Sequence, residues 1–157
     1  MNRSFDSRRA PQFHLAAALL LGLLTGAAHA QTVAGVWQTI DDRTGKPRSL
    51  VRIDEHDGAL TGRIVKRLDR EASDADLCKR CTGERKDAPI TGLLIIRGAR
   101  RSLDNPLRWE QGFILDPEDG KEYRVQVMLH PDGRRLDVRG YVGTPLIGRT
   151  QIWLRSG

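Results

Sequence analysis

The 157-residue chain has no apolar stretch long enough to cross a bilayer as a helix, no internal repeat, no low-complexity tract and no sustained helical period. A spanning helix needs roughly 20 apolar residues, and the best run, Phe13 to Leu24, stops short of that. Catalytic motifs are also missing. Ser49, Ser73, Ser102 and Ser156 stand in no Gly-x-Ser-x-Gly context, and no glycine-rich loop has phosphate-cradling spacing. The glycines punctuate turns and strand ends instead. Only two cysteines occur, and only His56 and His130 lie beyond the N-terminal segment. A closed structural zinc site needs four ligands, so no metal is expected. No catalytic residue and no cofactor is implied, and a binding role is favoured over an enzymatic one. The formal charge of +6 is not arranged as a basic stripe interleaved with aromatics, so nucleic acid is not an expected partner.

What is present begins with an export signal. Arg3, Arg8 and Arg9 precede the apolar run, and Ala28-His29-Ala30 supplies the small-residue cleavage motif. Residues 1–30 are therefore expected to be a signal peptide cut after Ala30, leaving residues 31–157 as a single periplasmic or secreted domain. No cysteine follows the cut, which speaks against a lipoprotein. Ala10-Pro11 after the arginine pair speaks against a twin-arginine signal. The remaining 127 residues carry a formal charge of +4 and suffice for one core. That basic excess suits an anionic membrane surface or an acidic partner.

The rest of the chain reads as a meander of short alternating strands separated by Asp-Gly turns. Strands are expected at 36–40, 48–55, 60–66, 90–97, 107–115, 122–130, 134–141 and 149–155. Asp57-Gly58, Asp116-Pro117-Glu118-Asp119-Gly120 and Pro131-Asp132-Gly133 turn the chain between them. Tyr123, Val125, Val127 and Leu129 form one face of a strand, and Leu136 and Val138 continue the alternation on the next. Eight antiparallel strands in this length point to an all-β, up-and-down barrel closed on itself, with an open sandwich as the alternative.

The longest connection, residues 68–88, holds Cys78 and Cys81, with a short helix or turn expected in Asp69 to Leu77. A loop of this length is usually functional or mobile. An oxidising compartment favours a disulfide between the two cysteines. Closing so short a ring adds only about 2 kcal/mol on the chain-entropy model, so the bond would shape the loop rather than hold the fold. A thiol redox centre, with Lys79, Arg80 and Arg85 lowering a thiol pKa, and a zinc site are the competing readings. The acidic turn at 116–119 does not have calcium-loop spacing and is read as a hairpin turn.

Two resemblances add to this. Gly35-Val36-Trp37 resembles the Gly-x-Trp signature of lipocalin-like barrels, in which the tryptophan packs at the closed end beneath an arginine from the last strand. The resemblance implies that Arg149 or Arg155 plays this part, and Arg149, next to Gly148, is the expected one. More of the chain is similar to the bacterial secreted family called domain of unknown function 2147. The similarity is carried by Gly35 to Thr39, Leu77 to Lys86, Pro89 to Leu93, Ile114 to Tyr123, Leu136 to Tyr141 and Gly148 to Trp153. It implies a secreted lipocalin-like barrel and no particular reaction.

Trp37, Tyr123, Arg139, Tyr141, Arg149 and Trp153 form the candidate ligand-binding set, because aromatics and guanidinium groups on barrel strands suit an amphipathic pocket; the competing reading is that they are core and closure residues of a barrel filled by its own side chains. The expected ligand is a small apolar or amphipathic molecule. The alternatives are an envelope module whose basic loops, near Arg97, Arg100 and Arg101, contact a protein or anionic membrane, and a thiol redox protein using Cys78 and Cys81.

Overall fold

The computed structural model describes residues 32–69, 73 and 75–157, together with Met1. The expected signal peptide, apart from Met1, and part of the expected helix or turn at 69–77 lie outside these residues. The strands are β1 (Gly35–Ile40), β2 (Pro47–His56), β3 (Ala59–Arg67), β4 (Leu94–Arg101), β5 (Arg108–Asp116), β6 (Lys121–Leu129), β7 (Arg135–Tyr141) and β8 (Gly148–Arg155). Each pairs antiparallel with the next, and β8 returns to β1, closing the barrel. Closure removes the free strand edges that an open sandwich would leave. Helix is confined, among the described residues, to one 3-10 turn at Gly83–Arg85.

The alternation read from the sequence builds the core. Val51 and Ile53 on β2, Leu60 and Ile64 on β3, Val125, Val127 and Leu129 on β6, and Leu136 and Val138 on β7 are buried together with Trp37, Trp109 and Trp153. One strand moves. The fourth was expected at 90–97 and runs Leu94–Arg101 instead. The residues before it turn: Leu93 donates its N–H to the Ile90 carbonyl, and Gly92 adopts φ +92°. This turn tucks Ile90 and Leu93 inward rather than extending them along the sheet. Gly98, at φ +70°, then breaks the alternation within the strand.

Connections after the odd strands lie at one end of an up-and-down barrel, and those after the even strands at the other. The even end is sealed twice. Trp37 is fully buried, donates its indole N–H to the Val33 carbonyl at 2.9 Å, and lies under the Arg155 guanidinium, whose carbon is 4.2 Å from the ring centroid. Trp109 donates to Glu55 at 2.9 Å beneath Arg101, 4.7 Å from its ring. The seal on Trp37 is thus Arg155 and not Arg149. The register requires it, since β8 runs toward the sealed end and places Arg155 opposite Trp37. Gly35 completes the motif: at φ +142° it leaves room for Arg155 Nη1, which a Cβ there would meet at 2.6 Å.

The cysteine loop packs on the odd end. Cys78 and Cys81 are joined by a disulfide and are both buried. Leu77 bridges to Pro89, and Cys78 N–H bonds the Ala88 carbonyl, so the segment doubles back on itself. It lies against the β5–β6 turn, where a Cβ on Gly120 would overlap the Arg80 carbonyl. Leu115, also buried, belongs to this same region of β5.

Candidate ligand-binding site

The odd end of the barrel is open, and a cavity of about 500 Å³ runs inward from it. Its wall is apolar at depth: Val51, Ile64, Ile90, Ile95, Ile114, Val138 and Trp153 face it. Trp153 is buried, with its indole N–H 3.3 Å from Gln151 Oε1, another lining residue. Three tryptophans divide the interior, two closing the floor and one standing in the wall above it.

Polar groups gather at the mouth. Arg48 pairs with Glu118 and lies 3.5 Å from Asp41. Arg67 pairs with Asp69 and reaches Asp76 at 3.3 Å. Arg149 pairs with Asp42, bringing β8 to the β1–β2 turn. Arg48, Arg67 and Arg149 are therefore each held by a carboxylate, which directs their donors. Tyr123 donates to Asp119 at 2.5 Å, and this bond pushes the phenol pKa up to about 12. Burial raises the Asp116 carboxyl above its ordinary value, helped by neighbouring Asp119 and opposed by Arg48 and Arg43. Asp116 Oδ1 accepts the Glu118 N–H at 2.9 Å.

Arg67 reaches the cavity through a bulge. Leu60, Gly62 and Ile64 point inward, which by strict alternation would send Lys66 inward. The register shift between Leu50 and Val51 inserts one residue on β3 and sets Arg67 opposite inward-facing Ser49. The β7–β8 connection forms the apolar part of the rim. Val142 and Ile147 line the cavity while 61% and 68% exposed, and Leu146 between them is 90% exposed. This loop is braced by its own bonds: Val142 N–H to the Ile147 carbonyl at 3.0 Å, and the Arg139 guanidinium to the Pro145 carbonyl at 2.6 Å.

Of the six residues singled out from the sequence, Tyr123, Tyr141, Arg149 and Trp153 line the cavity. Trp37 lies below it in the floor, and Arg139 buttresses the rim loop, bonding Thr150 as well at 2.8 Å. Arg48, Arg67, Asp116 and Asp119 were not anticipated. Strand parity could have found most of them, because the turns after β1, β3 and β5 must share the end opposite the Gly-x-Trp floor. Among the described residues no cluster of histidine, cysteine and acidic side chains can hold a metal ion. His130 lies 3.1 Å from Asp137, away from the cavity lining.

Residues 35–155 match a family described as an uncharacterised protein conserved in bacteria, DUF2147. Among solved structures the chain resembles protein HP1028 of Helicobacter pylori, described as belonging to the lipocalin family. The TM-score is 0.69 and the identity 21%, over 80% of this chain and 84% of that one. At that identity the likeness concerns the fold. No curated protein matches the chain by sequence.

Proposed function

Because the chain belongs to the family DUF2147, conserved in bacteria, and that membership names no ligand, we propose its function from the cavity: it binds a small apolar or amphipathic molecule inside the barrel. The observation that carries this reading is a space of about 500 Å³ with an apolar depth and a mouth of fixed, paired charges. Ligand sites commonly occupy 300–1,000 Å³ with this division of labour between apolar walls and a few orienting polar groups. The apolar tail of a ligand would lie against Ile64, Ile114, Val138 and Trp153, and its polar head among Tyr123, Arg67 and Asp116. The exposed Val142, Leu146 and Ile147 extend the apolar wall beyond the mouth and favour entry of a poorly soluble molecule. The leader-like N-terminal segment and the Cys78–Cys81 disulfide both support an exported, periplasmic or secreted protein.

Native mass spectrometry of the protein purified from its own cell envelope tests both parts. The expected result is a polypeptide beginning at Gln31 that carries a small-molecule adduct. Val138→Phe, which fills the cavity from its wall, should lose the adduct while keeping the fold. Retention of residues 1–30 would overturn the export reading, and an adduct that survives Val138→Phe would overturn the cavity as its location.

A further inference from the structure

The outer wall of the barrel carries a row of arginines, two of which stand directly opposite each other. Arg52 on β2 lies directly opposite Arg63 on β3, a placement in which like charges repel. One step further along the same face of β3, Thr61 lies opposite Arg97 on β4, Arg97 opposite Phe113 on β5, and Phe113 opposite Arg124 on β6. The Arg97 and Arg124 guanidinium carbons are 4.5 and 4.6 Å from the Phe113 centroid, so the ring holds both in place. Arg85 joins the row through Glu122, which it meets at 2.7 Å and Arg97 meets at 3.0 Å. Asp54, opposite Thr61, is the other carboxylate on these rungs. Four arginines on these rungs thus face Glu122 and Asp54 among the described strand residues. Arg52 and Arg124 have no carboxylate partner among the described residues, and Arg63 bonds only the Gly92 carbonyl, at 3.2 Å.

We propose that this wall binds an acidic polysaccharide, its anionic groups seated along Arg52, Arg63 and Arg124, while Arg97 stays engaged with Glu122 through two hydrogen bonds. Neighbouring strands lie about 4.8 Å apart, so the row from β2 to β6 follows the barrel for roughly 19 Å, the reach of a short run of sugars. Planar guanidinium forks suit carboxylate, phosphate and sulfate groups alike. The wall is convex, which suits a flexible strand and leaves a flat bilayer touching few of the arginines. The Phe113 ring lies between two guanidiniums and offers no platform on which bases could stack. The closed barrel has no strand edge for a peptide to join, and polyglutamate, which an arginine cluster could recognise without one, serves as the control: binding as tight as that of the saccharides would overturn the proposal. The surface is separate from the cavity, so it stands whether or not a ligand occupies the interior.

Isothermal titration of the mature protein with an oligogalacturonate and a heparin octasaccharide, at low and at raised salt, tests this. Binding that weakens with salt is expected. Arg63→Glu/Arg124→Glu should weaken it by about tenfold or more, with far-UV circular dichroism unchanged. Arg52→Gln, which removes a side chain that bonds nothing described, should weaken it by about threefold. Arg134→Glu, on the β6–β7 turn, should leave it unaltered. The proposal is overturned if neither saccharide binds, if the wall variants bind as wild type does, or if single-stranded DNA or phosphatidylglycerol vesicles bind as tightly as the saccharides.

Discussion

The floor of the barrel allows a sharp test, because two arginines of β8 compete for the role of sealing it. Arg155 stacks on Trp37 and donates to the carbonyls of Gly133 at 2.6 Å, Ala34 at 3.2 Å and Thr32 at 2.5 Å. Among the described residues Arg149 meets only Asp42, at the open mouth. Arg155→Met keeps most of the aliphatic packing on the indole and removes every donor. Three hydrogen bonds at about 0.5–1.5 kcal/mol each and a cation–π contact of about 0.5–1 kcal/mol give a loss of roughly 3 kcal/mol. For a domain of this size that is about 10–15 °C in Tm. Arg149→Met breaks one half-exposed ion pair and should cost under about 1 kcal/mol. Urea and thermal unfolding of the two variants, followed by tryptophan fluorescence, measure both. Equal losses, or a larger loss for Arg149→Met, would refute the assignment of the seal to Arg155.

Other expectations follow from the same geometry. The paired Arg97 and Arg85 hold the Glu122 carboxyl down to about 2, so its contribution is fully present above about pH 4.5 and disappears as pH falls toward 2. Glu122→Gln should therefore cost on the order of 1–2 kcal/mol at pH 7, after allowance for solvent screening, and converge with wild type in acid urea titrations. Replacing Cys78 and Cys81 together by alanine should lower stability by about 2 kcal/mol and speed amide exchange in the 116–120 turn against which the loop packs. Gly120→Ala should loosen the same turn with the disulfide intact, visible as faster exchange at 78–88. Arg52→Thr should raise stability by about 0.3–0.5 kcal/mol by relieving its opposition to Arg63, measured by urea midpoint.

The barrel was legible because period-2 alternation and Asp-Gly turns are local, and both survive folding unchanged in β6 and β7. The displaced start of β4 was not legible. Ile90, Thr91 and Leu93 have strand-like composition, and the turn that Gly92 permits at positive φ is set by the burial of Ile90 and Leu93. The choice between Arg149 and Arg155 depended on which end of β8 meets Trp37, a matter of register between chain ends far apart in sequence. The mouth escaped notice for a related reason. Asp116 and Asp119 have the composition of an ordinary solvated turn, and what makes them part of a site is the ring of other turns gathered around them. Arg67 was hidden by a single inserted residue on β3, which exchanges the two faces of the strand beyond it.

The strand pairing that closes the barrel also decides how the molecule can be handled. Arg155 grips the carbonyls of Thr32 and Ala34, so both extremities of the domain emerge beside one another at the floor. A tag, a tether or a fused carrier attached at either extremity hangs from the base and leaves the entrance unobstructed. A peptide linker joining residue 155 to residue 32 would make a ring, and the chain could then be reopened at Asp57-Gly58 without disturbing the cup above.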